Sequence, residues 1–179
     1  MNKVSAPAPA AGWPQRFALT LCAALTFVGV PPAAAEAAEQ SWGGHMVTTV
    51  VRFEVVPVGD AEGHSVGLYE HRGAIVHEDG RIGQLVARGT FDFVRGVASY
   101  RGYMVIDYED GARAFGETRG TYDATGARAT DRGRMTFTGG EAGLEELRGE
   151  GSYEGRALAP VDDGGTLYYT WSATVELPD

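Results

Sequence analysis

Tyr69, Glu70, His71 and Arg72 stand consecutively in the most polar of this chain's strand-like segments. A carboxylate, an imidazole and a guanidinium beside a phenol can move a proton or hold the polar end of a ligand. Glu70, Arg72 and His71 are therefore the candidate catalytic residues, with Glu70 the acid. On a strand, residues two apart share a face, so Glu70 pairs with Arg72, as Arg52 does with Glu54 and Glu117 with Arg119. Such pairs commonly decorate a solvated exterior and contribute little there. At the mouth of a cavity, one of them would bind a polar ligand end or a cation. Tyr69, Tyr103, Tyr153, Tyr169 and Trp171 are the candidate ligand-binding aromatics, with ordinary core as the competing role.

Other chemistries lack their signatures. His71 and His77 share a face but are six residues apart, roughly 20 Å along a strand, too far for one metal. His45 and His64 sit near loops, and no H-x-E or C-x-x-C spacing occurs. No metal or cofactor is expected. A G-x-S-x-G elbow is missing, and the glycine-rich pieces do not join a strand to a helix as phosphate cradles do.

The segments that must position these residues alternate with the period of strands. Segment 46–56 is rich in β-branched residues and follows a short polar lead. Strands are expected at 46–56, 66–77, 82–94, 97–108, 112–122, 127–138, 149–158 and 166–177, with one short helical piece at 141–147. The third strand alternates Leu85, Ala87, Gly89, Phe91 and Phe93 against Gln84, Arg88, Thr90 and Asp92; the sixth sets Ala129, Gly133, Met135 and Phe137 against Arg128, Arg132, Arg134 and Thr136. On the fifth, one face is Phe115, Glu117 and Arg119, and the other is small until Tyr122. Turn signals such as Glu78-Asp79-Gly80 join neighbours tightly. Eight strands joined in this up-and-down manner make an all-β, eight-stranded antiparallel β-barrel, with room inside for side chains or one small ligand. An open sandwich is the rival. The chain's 26 glycines among 179 residues suit the tight turns of either fold.

Residues 1–37 stand apart. Lys3 and Arg16 precede an apolar run over 17–30, then Pro31-Pro32 and two A-x-A sites ending at Ala35 and Ala37. This is the pattern of a cleaved secretory signal, and the run is short of the roughly 20 residues that span a bilayer. The expectation is a signal peptide over 1–37, one barrel domain over 38–179, and a secreted or periplasmic product without stable membrane insertion. Cys22, the only cysteine, falls in that segment, so no disulfide supports the domain. A cut after Ala35 removes Lys3 and Arg16, taking the 15 basic residues to 13 against 24 acidic ones, a net charge near −11. A chain so acidic, without a basic run, is a poor nucleic-acid binder.

Gly89-Thr90-Phe91-Asp92-Phe93, followed by Gly96, Tyr100, Gly102-Tyr103, Thr138-Gly139-Gly140 and Leu147-Arg148-Gly149-Glu150-Gly151-Ser152, resembles the allene oxide cyclase and dirigent-like superfamily, secreted bacterial members included. The resemblance covers about 63–158. It implies a calycin-like, allene-oxide-cyclase-like barrel with an apolar cavity, often trimeric. Such a cavity would bind a small hydrophobic or aromatic molecule and steer its cyclisation, isomerisation or coupling. A non-catalytic, lipocalin-like carrier and a filled structural barrel are the alternatives. Cyclases of that family hold a catalytic water with an asparagine. Asn2 is the only asparagine here and precedes the barrel, so the resemblance assigns no catalytic residue.

Overall fold

The computed structural model describes residues 38–160 and 164–177. The signal-peptide reading of 1–37 and the fate of Cys22 lie outside them. Eight strands follow one another: β1 (Ala38–Pro57), β2 (Ser65–His77), β3 (Ile82–Val94), β4 (Val97–Tyr108), β5 (Arg113–Asp123), β6 (Thr130–Glu141), β7 (Arg148–Ala157) and β8 (Thr166–Leu177). Each pairs antiparallel with the next, and β1 closes on β8 from Ala38↔Leu177 to Thr49↔Thr166. The barrel is closed, and the sandwich alternative is excluded.

Two expectations are corrected. The polar lead is strand: Ala38 to Gly44 is held by the β8 ladder, a tertiary partner that local propensity does not report. The helix at 141–147 is absent. Segment 142–147 is a bend and turn, with Ala142 at φ 54° and Gly143 at φ 94°. Seven residues cannot sustain a helix without support, and these instead tuck Leu144 and Leu147 under one end of the barrel, where both are buried.

Parity decides which side chains see the interior, and one bulge changes it. In the β1–β2 ladder Val50 faces His71, and the next pair is Arg52↔Glu70, leaving Val51 as the extra residue. Before the bulge Met46, Thr48 and Val50 point inward; after it Phe53 and Val55 do. Were Val51 paired in the ladder instead of bulged out of it, Arg52 and Glu54 would point into the barrel and Phe53 and Val55 out.

The interior is divided. One end is packed solid by Ile75, Ile106, Phe137, Leu147 and Val175, each at most 1% exposed. Trp42 meets His77 and Phe137 edge-on, Trp171 meets His77, and His77 Nε2 lies 3.0 Å from Tyr108 Oη. The Arg81 guanidinium is sandwiched between Trp42 and Tyr108, 4.5 and 4.3 Å from their ring centres. The opposite end is open.

Candidate functional site

A cavity of about 750 Å³ enters the open end, a size suited to a drug-sized ligand. Its wall is largely apolar. Phe53 and Phe91 stack at 4.9 Å near the mouth, with Phe93, Tyr122 and Leu158 about the rim, while Leu85, Met104 and Met135 form the floor.

One polar cluster interrupts this wall. Asp131, on β6, is 6% exposed and lines the cavity. Tyr100 Oη of β4 donates to its Oδ1 at 2.5 Å, and Tyr169 Oη of β8 donates to its Oδ2 at 2.9 Å. Tyr153 Oη of β7 is 2.7 Å from Tyr100 Oη. Because Tyr100 has one proton and spends it on Asp131, Tyr153 is the donor in that contact. Tyr69 of β2 completes the group edge-on to Tyr100 at 5.9 Å, with His71 beside it at 5.1 Å.

Small inward residues make this clustering fit. A Cβ at Gly89 or Gly102 would stand 2.6 Å from Tyr69 Oη. One at Gly120 would overlap the Tyr100 hydroxyl, one at Gly133 that of Tyr153, and one at Gly155 the Tyr169 ring. Each tyrosine thus lies across a glycine on a neighbouring strand. Two of these slots, Gly89 and Gly120, stand in like local sequences, Arg88-Gly89-Thr90-Phe91 and Arg119-Gly120-Thr121-Tyr122.

Burial governs the electrostatics. Desolvation raises the Asp131 pKa to about 6, against the lowering effect of hydrogen bonds from the Tyr100 and Tyr169 hydroxyls and the Arg132 backbone N–H. Tyr69 is raised to about 12, chiefly by burial. Tyr100, Tyr153 and Tyr169 are pushed up by burial first and the neighbouring Asp131 charge as well. His71 falls to about 4 because burial disfavours the imidazolium. The site therefore holds neutral phenols, a neutral imidazole and one carboxyl that titrates near neutrality. Tyr169→Phe is expected to move the Asp131 pKa further up and to cost about 1–3 kcal/mol above pH 7, where the lost bond is to a charged acceptor. Carboxyl NMR titration and denaturant melts measure the two effects.

Of the sequence candidates, His71, Tyr69, Tyr153 and Tyr169 line this cavity. Trp171 is 4% exposed and packs in the closed end. Tyr103 is 69% exposed on the outer wall, because odd-numbered β4 residues face out. Glu70 and Arg72 also face out: Glu70 accepts from Arg72 Nε at 2.7 Å and Arg88 Nε at 2.9 Å. Those two guanidinium groups, Arg88 first, hold its pKa down at about 2. Glu70→Gln is expected to leave ligand uptake unchanged, measured by titration with an apolar fluorescent dye. Asp131 and Tyr100 were missing from the sequence candidates. The signal for Asp131 was present: it occupies the inward parity of β6 between Ala129 and Gly133, a charge on an otherwise apolar face. Among the described residues no group of three or more His, Cys, Asp or Glu could hold a metal ion.

The ladder and the cavity define an eight-stranded up-and-down barrel, closed at one end and hollow at the other. No family model matches the chain, and no curated protein matches it. Solved structures similar to it include the pterocarpan synthase dirigent protein GePTS1, at 14% identity and TM-score 0.46, over 80% of this chain and 94% of that one. The pterocarpan synthase dirigent protein PsPTS1 is similar at 12% identity and TM-score 0.45, over 79% and 97%.

Proposed function

We propose that the barrel binds a small, mainly apolar or aromatic molecule in its cavity and steers its cyclisation, isomerisation or coupling. The observation that carries this reading is a carboxyl of pKa about 6 set among tyrosine hydroxyls inside a cavity of about 750 Å³. An apolar wall restricts the conformers of a guest, which lowers the entropic part of a ring-closing or coupling barrier. Ionised Asp131 would stabilise positive charge developing on the guest or take up its proton, and a pKa near neutrality suits that exchange. Tyr100 and Tyr169 hold the carboxylate in place. The convergent polar cluster favours steering over an apolar carrier, and a filled structural barrel does not account for the open half. The reading includes export to an extracytoplasmic space, for which the 1–37 pattern argues.

Native mass spectrometry of protein purified from its own host tests the reading. A co-purifying small molecule, bound one per barrel, is the expected result. Repeated preparations that carry nothing, together with failure of any apolar dye to bind stoichiometrically, would dismiss it.

A further inference from the structure

Asp131 is a buried carboxylate without a countercharge. No Arg or His of the described residues forms an ion pair with it, and no cation is among the groups that shift its pKa. Buried charges ordinarily sit beside a partner of opposite sign, because removal from water otherwise costs too much. Its support is neutral: the hydroxyls of Tyr100 and Tyr169, the backbone N–H of Arg132, and Tyr153 behind Tyr100; the phenols fix the polarity of the site. The protons of Tyr100 and Tyr169 are committed to the carboxylate, and that of Tyr153 to Tyr100. What remains toward the cavity is lone pairs, on the carboxylate oxygens and on the phenol oxygens. At Asp131 the bonded groups accept and have little left to donate; the Tyr69 hydroxyl and the His71 ring stand beside them.

The geometry points to a guest of matching chemistry: we propose that the cavity takes an amphiphilic organic cation, an aromatic or alkyl body ending in a protonated amine whose nitrogen sits at the Asp131 carboxylate. The proposal rests on the reading that the cavity is a ligand site, and it adds the ligand's charge. The apolar walls from Phe53 and Phe91 down to Met135 take the body, and Asp131 takes the N–H donors. Anionic guests meet an anion, and neutral guests lose the charge-assisted bond.

Of the other titratable groups facing the cavity, those beside Asp131 are neutral, and the one cation, Arg128, stands in an exposed loop. Tyr69 and His71 from β2, Tyr100 from β4, Tyr122 from β5, Tyr153 from β7 and Tyr169 from β8 line it, and Arg128 does so from the 124–129 loop. His71 titrates near pH 4, and the pKa of Tyr69 is about 12. The inward groups of β1 and β3 are not ionisable. Between pH 5 and 8, Asp131 is therefore the group that changes charge at the seat of the ligand.

Calorimetric titration with three probes of one shape, 4-phenylbutylamine, 4-phenylbutanol and 4-phenylbutyrate, tests this. At about pH 7.5 the amine is expected to bind at least about tenfold more tightly than the alcohol, and the carboxylate weakest of all. Lowering the pH to about 5 protonates Asp131 while the amine keeps its charge, so amine affinity falls by about tenfold and alcohol affinity stays level. Asp131→Asn, shown to be folded by its thermal melt, is expected to lose the preference for the amine and keep the alcohol. The wild-type ranking and pH profile stand without that variant. Equal binding of amine and alcohol, or tightest binding of the carboxylate, would overturn the cationic ligand and leave the cavity reading intact. If none of the three binds at millimolar concentration, both are overturned.

Discussion

Gly44→Ala is expected to abolish folding of the barrel. Gly44 lies where β1 is paired on both sides, to His77 of β2 and Trp171 of β8. Its φ of 151° is one that a residue with a Cβ rarely adopts, and an added Cβ would overlap the carbonyl oxygen of Val76 and stand 3.0 Å from His77 Cα. Those are backbone atoms of a closed ladder, so they cannot rotate away. The neighbouring Trp42 ring packs against His77 and Phe137 in the closed end, which couples any shift of the strand to that core. A loss of about 4 kcal/mol or more follows, most of a typical stability margin. Soluble yield and the urea midpoint report it. Gly80→Ala is the control: its φ is 90°, but nothing lies within 4 Å of an added Cβ. Backbone strain alone should then cost about 1–2 kcal/mol. Equal behaviour of the two variants would refute the steric argument.

Acidification from pH 7 to 4 is expected to cost the fold about 3–4 kcal/mol. His71 and His77 are both lowered to about 4 by burial, with the Arg81 charge adding to the effect on His77. The unfolded chain therefore takes up protons first, and the stability these two contribute is lost as pH falls below about 6.5. At pH 4 each accounts for about 3 kcal/mol. Asp131 works in the opposite sense. Its folded pKa is raised to about 6, so the folded state gains protons first. Stability from this group is fully present below about pH 4 and lost as pH rises through 6, which returns about 2 kcal/mol on acidification. His64, held between Asp60 and Asp92 on the surface and raised in pKa, also acts in that direction but is screened by solvent. Urea melts between pH 4 and 8 measure the sum. His77→Gln should flatten the acid limb, and Asp131→Asn should steepen it. A profile that is level from pH 7 to 4 would contradict the burial of these imidazoles.

Much of the frame was legible in the chain. Strands 82–94, 97–108 and 166–177 coincide with β3, β4 and β8 because each alternates apolar and polar residues between unambiguous turns. The small face of the fifth strand was also visible, though its use was not: Ala114, Gly116, Thr118 and Gly120 leave space that side chains of adjoining strands occupy, Met104 over Gly116 and Tyr100 over Gly120. Ala38–Gly44 was not legible as strand, since its pairing energy comes from β8, more than a hundred residues away.

The sequence by itself determined the strand count, the up-and-down order and the residues available to line an interior, because these follow from period-two patterning and turn chemistry. Only the tertiary structure decided which of them meet. Tyr100, Asp131, Tyr153 and Tyr169 come from four strands, and nothing local in the chain records that closure brings their oxygens within hydrogen-bond distance. The same closure turned Glu70 and Arg72 outward while leaving Tyr69 and His71 inside. Alternation says that neighbours face opposite ways; which way is inward is fixed by the ladder on either side, and on β1 by the single extra residue Val51.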